Sequence, residues 1–538
     1  MAKPKIPNQK KKYQELNSRL NRYVALVEQI YDTLNLEAAK AVLRTDYSAD
    51  SDKPFKWSDY PQTRKQIADI QMQFVDDIHS VIYRGTSEEW KNSNEVQDLI
   101  ADKVLQAYDA IVDKKKYTVL YQTNSDALKA FQSRKDKGFN ISDKLWNQST
   151  IYKEELEAAI SCAIQKGTSA ITLSKQISKY LLDFPSLKKD YKEKYGSAKH
   201  LLDCEYRSIR LAASEINMAY RTAENERWKQ MDFVVGYEIK LSSSHHHRMP
   251  HGDICDMLAG RYPKDFVWTG WHPNDLCYKI PILKTEEEFW EWDGLSDVST
   301  ESINEVKDIP DEFKKWVLDN QQKIEKARER NTLPYFLRDN KSIVQNINTE
   351  NSAKELVNRA SLVGKEVQSL AESIAKNNKG FVTPINYKSI SSIVRKATTE
   401  GITPYDIKDA VRTTIIVPKS QIDQVLNELS ENDSFVRLKR QKPESFMGYS
   451  GNIVNIQTSN GLIAEIQVNT DRMIYAKEKP EDAKRILGEK RWKEIQEQTG
   501  MEGGLGHKYY EEWRVLDKAD KKAQKIAEKS IEYYSHFQ

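Results

Sequence analysis

Two carboxylates stand inside runs that read as β-strands, Asp409-Ala-Val-Arg412-Thr-Thr-Ile-Ile-Val417 and Leu462-Ile-Ala-Glu465-Ile-Gln467-Val468. A charge among apolar strand residues costs free energy unless it is paired or placed for use. Period-2 alternation puts Glu465 and Gln467 on one face with Ile463, and Leu462, Ala464, Ile466 and Val468 on the other. Mg2+ takes one or two carboxylates and fills its remaining positions with phosphate oxygens and water, so Asp409 and Glu465 together suit a Mg2+-nucleotide site. Taken alone, Glu465 reads better as an ion-paired structural residue. Between the two acids lies Arg437-Leu-Lys-Arg-Gln-Lys442, whose Arg437, Lys439, Arg440 and Lys442 could neutralise a triphosphate together with Arg412. Gly448-Tyr449-Ser450-Gly451 follows, where glycines allow close backbone approach and the Tyr449 ring could stack on a base.

A second group of chemically able residues sits mid-chain. Between His245 and Cys277 fall seven soft or borderline ligands: His245, His246, His247, His251, Cys255, His272 and Cys277. Thiolate and imidazole are the ligands Zn2+ prefers. The set expected to hold it is Cys255, His272, Cys277 and one of His247 or His251, with His251 as the choice. The competing reading packs these side chains against Phe266, Trp268 and Trp271.

The elements that must position these residues divide by pattern. From Lys10 to about Gln230 apolar residues recur at helical spacing, as in Leu20, Val24, Val27, Ile30, Tyr31 and Leu34. Phe233 to Leu241 alternates as a strand. Residues 284–350 are acidic, then strongly charged (Lys323-Ile-Glu-Lys-Ala-Arg-Glu-Arg-Asn331), which suits a helical connector. From Ser352 the pattern mixes: helices over 353–376 and 387–399 with a stop at Gly401, a strand over 410–417 ended by Pro418, a helix over 420–429, a hairpin at Ser459-Asn460-Gly461, and closing helices from Glu481. The expected domains are 1–150, a helical region; 151–285, a small α+β element; 286–351, the connector; and 352–538, the nucleotide domain.

A chain of 538 residues is too long for one hydrophobic core. Charged residues make up 30% against 39% hydrophobic, and 83 basic side chains nearly balance 80 acidic ones, so net charge forces no nucleic-acid partner. Four cysteines are too few for a disulfide scaffold, which directs attention to metal binding or burial. No run approaches the roughly 18 apolar residues of a membrane span, and the start has no apolar signal core. A cytoplasmic protein is expected.

The order Asp-x-x-Arg-x-x-Ile (409–415), basic loop, Gly-Tyr (448–449), Glu-Ile-Gln-x-x-Thr (465–470) and His507-Lys-Tyr-Tyr-x-x-Trp513 resembles the RelA/SpoT synthetase family. The resemblance implies an α+β, nucleotidyltransferase-like C-terminal domain with a mixed sheet, which moves pyrophosphate from ATP to the 3′-hydroxyl of a nucleotide or tRNA. It implies Mg2+ on Asp409 and Glu465, with Glu465 orienting or deprotonating the attacking hydroxyl. Tyr449 would stack on the acceptor base, Arg412, Arg437, Lys439, Arg440 and Lys442 would grip phosphates, and Gln467 and His507 would contact substrate. The chain departs from the family in lacking a histidine between Ser450 and Asn455, in a short Asp-to-Arg spacing, and in having no preceding hydrolase motif.

A second resemblance covers residues 150 to 285. Arg210-Leu-Ala-Ala-Ser-Glu215, Asp253-Ile-Cys-Asp-Met-Leu-Ala-Gly260 and His272-Pro-Asn-Asp-Leu-Cys277, ending in Pro281-Ile-Leu, look like landmarks of the phage head-morphogenesis family (Mu F-like, or SPP1 minor head protein-like). This implies a minor capsid component with phage portal and capsid proteins as partners, found in the virion and the bacterial cytoplasm. Combined, the two resemblances imply a prophage head protein carrying a toxin-like effector, with an immunity protein as a further partner. The alternative is a purely structural minor capsid protein whose C-terminal domain binds without turnover.

Overall fold

A computed structural model describes residues 4–48, 51–108, 115, 117–165, 168–291, 302–441, 447–517 and 520–538. The described residues are mostly helical, with two sheets among them, and the chain divides into two compact units, Met1–Val344 and Gln345–Gln538.

The first unit is built on long amphipathic helices: α1 (Gln9–Val42), α2 (Arg64–Ala107), α3 (Ile141–Ala163) and α4 (Cys204–Gln230). Asn8 caps α1 by accepting from the Lys11 amide, and Tyr13, Leu16, Leu20, Tyr23, Val27, Tyr31 and Leu34 recur every three or four residues as its buried stripe. One hydrophobic core runs from Tyr13 to Tyr278, continuous across position 150. The strand expected over 233–241 is β1 (Val234–Lys240), the centre of an antiparallel sheet with β2 (Gly260–Tyr262) and β3 (Tyr278–Leu283) at its edges.

The second unit carries the mixed sheet expected from sequence. The division between units falls inside the helix α5 (Lys341–Asn377), whose Leu356, Ala360, Val363, Val367 and Ile374 form a core-facing stripe. Helices α6 (Ile390–Glu400) and α7 (Ile422–Ser430) contribute to the same core. The strands are β4 (Phe381–Val382), β5 (Asn386–Tyr387), β6 (Val411–Ile416), β7 (Phe435–Arg440), β8 (Asn452–Gln457) and β9 (Ile463–Asn469). Their order is β4-β6-β9-β8-β7, with β5 also on β6; β6 and β9 run parallel and all other pairs antiparallel. Gly401 ends α6 in the left-handed conformation at φ 65°, which a glycine adopts without steric cost. The helices that follow the sheet include α8 (Asp471–Lys477), α9 (Pro480–Leu487), α10 (Leu505–Arg514) and α11 (Lys521–Ser535). Among the described residues no helix is long and apolar enough to cross a membrane.

Candidate active site

Alternation along β9 sorts its residues as the sequence requires. Leu462, Ala464, Ile466 and Val468 join the core formed with α5, α6 and α7. Glu465 and Gln467 point to the opposite face, where register assembles a polar row across four strands. Arg412 on β6 pairs with Glu465, Glu465 with Asn455 on β8, and Asn455 with Arg437 on β7. The next row on that face is Thr414, Gln467, Ile453 and Lys439.

Glu465 is 9% exposed and does not stand unpaired. Gln467 Nε2 donates to Glu465 Oε1 at 2.7 Å, and Lys477 Nζ at the end of α8 donates to Gln467 Oε1 at 3.0 Å. Arg437 Nε donates to Asn455 Oδ1 at 2.7 Å, which fixes a cation at the far end of the row. Beside the row opens a cavity of about 620 Å³ lined by Arg412, Thr414, Gln467, Lys477, Glu478 and Arg485 among others. That volume is within the range of small-molecule sites, and its polar walls carry more cations than anions.

Asp409 lies just before β6. Its carboxylate accepts from Lys388 Nζ at 2.5 Å and from Lys396 Nζ at 3.0 Å, one lysine on each oxygen. Burial pushes the Asp409 carboxyl up, but the two ammonium groups outweigh it and hold the pKa below the usual aspartate value.

No family model matches this chain. Over 182 residues, 34% of its length, it is 36% identical to the (p)ppApp synthetase toxin Tas1 of Pseudomonas aeruginosa (strain UCBPP-PA14). This similarity supports a RelA/SpoT-like synthetase domain in the chain. The chain spans 41% of the length of that relative. The solved complex between the Type VI effector Tas1 and its immunity protein includes a chain 34% identical, matched over 96% of its length and 35% of this one, with a TM-score of 0.32. Small alarmone synthetase 1 from Bacillus subtilis is 18% identical over 92% of its chain and 34% of this one, with a TM-score of 0.22.

The remaining residues expected to serve the synthetase domain are spread more widely. Arg412, Arg437, Lys439, Glu465 and Gln467 share one sheet face, as described. Arg440 has the opposite parity on β7 and pairs with Asp423 of α7 at 2.8 Å. Lys442 lies outside the described residues. His507 sits in the first turn of α10 and is not among the residues lining the cavity.

Tyr449 is only 8% exposed. Its hydroxyl is 3.1 Å from Asn469 Oδ1, its ring packs at 5.8 Å from that of Tyr534, and Lys477 Nζ sits 5.4 Å above it. Stacking on a base would therefore require the ring to leave this setting. The neighbouring glycines serve the same packing: a Cβ on Gly448 would lie 2.7 Å from Ile531 Cα, and one on Gly451 would lie 2.1 Å from the Tyr449 hydroxyl.

Sequence reasoning missed Lys477, Arg485, Asn455 and the Lys388/Lys396 pair. Only Lys477 left a readable trace. Thr470 caps α8 by accepting from the Met473 amide, and Lys477 lies two turns into the helix so defined. Burial works against the charge of Lys477, but Tyr449 and Glu478 oppose that and hold its pKa above the ordinary lysine value.

In the first unit the His/Cys set is only partly as expected. Cys255 Sγ lies 3.2 Å from His272 Nε2, and Cys255 and Cys277 come together. His251 is exposed, on the turn between two short helices, and the histidine beside the thiols is the buried His245. Phe266, Trp268 and Trp271 are buried, and Trp271 packs against the other two rings at centroid distances of 6.2 and 6.0 Å.

Proposed function

We propose that the synthetase domain transfers pyrophosphate from ATP to the 3′-hydroxyl of an adenine nucleotide, acting as the effector part of a prophage minor head protein. The reading rests on one observation, the row of Arg412, Glu465, Asn455 and Arg437 beside a nucleotide-sized cationic cavity. The similarity to a (p)ppApp synthetase toxin favours adenine over other acceptors, with tRNA 3′ ends as the remaining candidate.

In this reaction the acceptor 3′-oxygen attacks the β-phosphorus of ATP, the bond from that phosphorus to the α,β-bridging oxygen breaks, and AMP leaves with the electron pair. The hydroxyl proton passes to Glu465, whose Oε2 takes no hydrogen bond among the described residues while Gln467 holds Oε1. Gln467, anchored by Lys477, fixes the rotamer of Glu465. Arg412, Arg437 and Lys439 share its face and neutralise phosphate charge. Such positioning and charge neutralisation are most of what this class of transfer asks of a protein. Mg2+, when bound, would supply positive charge that stabilises the transferring phosphates. Glu465 suits it as a single carboxylate ligand, whereas Asp409 could join only by releasing Lys388 and Lys396.

The capsid role rests on the landmarks between Arg210 and Leu283, and implies portal and capsid proteins as partners. Tas1 has been solved with its immunity protein, which supports an immunity partner here.

Purified full-length chain incubated with Mg2+ and [γ-32P]ATP plus AMP, ADP, ATP, GDP or deacylated tRNA should label the adenine nucleotides. Glu465→Gln should abolish the label, and Arg412→Ala should raise KM. Equal product from wild type and Glu465→Gln rejects the assigned site. The observation favouring the second reading, a structural protein with an inactive nucleotide domain, is the lysine pairing of Asp409; absence of product with every acceptor would establish it.

A further inference from the structure

Two thiols and two imidazoles from separate segments of the first unit converge around β3. His245 sits on a short helix (His245–Arg248), Cys255 on another (Ile254–Leu258), His272 in the following loop, and Cys277 immediately before β3. A ring nitrogen of His245 and the sulfurs of Cys255 and Cys277 lie within 4.8 Å of one another, and all three residues are buried. An overlapping group of the same tightness joins Cys255 to His272 and Asp253, with Cys255 Sγ 3.2 Å from His272 Nε2. Tetrahedral zinc with bonds of about 2.3 Å to sulfur and 2.0–2.1 Å to nitrogen separates its ligands by roughly 3.3–3.8 Å. The Cys255–His272 pair is already at such a separation, and Cys255 belongs to both groups, each drawn to within 4.8 Å.

The surroundings orient the ligands. His272 Nδ1 is 2.8 Å from the Pro273 carbonyl, which can only accept, and that contact sets the ring so that Nε2 lies 3.2 Å from Cys255 Sγ and 3.1 Å from Asp253 Oδ2. Asp256 Oδ2 lies 2.8 Å from His245 Nε2, a carboxylate-to-imidazole pairing that fixes the ring.

The loop bearing His272 and Cys277 is also tied down. The Asp275 carboxylate accepts from the Trp271 and Cys277 amides at 2.7 Å each. Arg221 of α4 donates to the carbonyls of Thr269, Asp275 and Cys277 at 2.7–3.0 Å. A segment with so little regular structure gains most from a bound cation that crosslinks it.

We propose that His245, Cys255, His272 and Cys277 form a structural zinc site that closes the segment between β1 and β3. Four protein ligands leave no position for substrate, so the site holds structure and does no chemistry. His245 replaces the exposed His251 of the sequence expectation.

The test uses the full-length chain, purified without chelator and reloaded with Zn2+ or with Co2+ as a spectroscopic probe. One zinc per chain is expected by plasma mass spectrometry. Cobalt should give the intense visible bands of tetrahedral coordination together with thiolate-to-metal charge transfer. Cys255→Ser, Cys277→Ser and His245→Ala should each weaken metal affinity by about tenfold or more, while His251→Ala keeps it. Should the cysteine variants fail to fold, the wild type still decides. Two thiols should be protected from a thiol reagent with zinc bound and react once a chelator is added. The proposal is overturned if the zinc-loaded chain retains no metal, if cobalt shows no thiolate band, if a Cys255 to Cys277 disulfide accounts for the protection, or if His251→Ala loses metal while His245→Ala does not.

Discussion

Replacing Asp409 by Asn separates a structural clamp from a metal ligand. Its side chain is 14% exposed, and its two oxygens hold Lys388 and Lys396, themselves 20% and 32% exposed. Removing one partner of a fully buried ion pair costs about 3–5 kcal/mol, because the charge left behind is uncompensated. Here two ammonium groups would be left facing each other, but both reach solvent, and screening of that kind reduces the cost to about 1–3 kcal/mol. Urea unfolding of the full-length chain measures the loss, and hydrogen exchange over residues 386–416 should locate it at β5 and β6. In parallel, turnover is titrated with Mg2+. A clamp leaves the Mg2+ midpoint within about twofold of wild type, whereas loss of a direct ligand costs about tenfold or more, or 1.4 kcal/mol per decade. An Asp409→Asn protein of unchanged stability with a tenfold higher Mg2+ requirement would refute the clamp and restore Asp409 to the metal.

The same carboxylate sets a pH dependence. Because its folded pKa is depressed, its stabilisation is complete above the unfolded aspartate pKa of about 3.9 and is lost as pH falls through the lower folded value. The stability gap between wild type and Asp409→Asn should therefore close below about pH 4, and a gap constant from pH 7 to pH 3 would be the contrary result. Gly448→Ala meets backbone on two sides, Ile531 Cα at 2.7 Å and Ser530 O at 3.0 Å, at φ 85°, and should destabilise by about 1–3 kcal/mol in thermal unfolding. Gly461→Ala, at φ 78° with nothing within 4 Å, should lose only about 1 kcal/mol; equal losses would deny the close approach of α11. Lys477→Met removes a charge-assisted hydrogen bond worth about 1.5–3 kcal/mol, so kcat/KM should fall by about 10- to 100-fold. Unchanged kinetics would mean that Gln467 needs no anchor.

What the sequence made legible was local. The alternation of β9, the Asn-Gly hairpin, the Gly401 stop and the Pro418 boundary each follow from the residues involved and a neighbour or two, and each appears within a few residues of its expected place. The lysines on Asp409 were not legible. Lys388 and Lys396 are eight residues apart and reach the acid because β5 lies against β6 and α6 follows it, a consequence of tertiary pairing that spacing does not announce. Gly448 was misleading for a related reason. A glycine beside an aromatic ring signals close approach, but not of what, and here the approaching group is the backbone of α11.

The basic run from Arg437 to Lys442 shows how a sequence signal can be right in kind and wrong in extent. Read as composition, it is a single cluster of cations aimed at phosphate. Read as a strand, it must alternate, and the pairing of β7 with β8 determines which half faces which way. Arg437 and Lys439 fall on the side of Glu465 and Arg412, whereas Arg440 turns to the opposite face and meets Asp423. The positive charge opposite Glu465 is therefore delivered by Arg412 and Arg437 on either side of it, with Lys439 one row along. A one-residue slip of β7 would exchange the two halves and bring Arg440 to the Glu465 face in place of Arg437 and Lys439. The Arg437 bond to Asn455, itself bonded to the Ala464 carbonyl, ties the cation to the strand that carries the acid and guards against that slip.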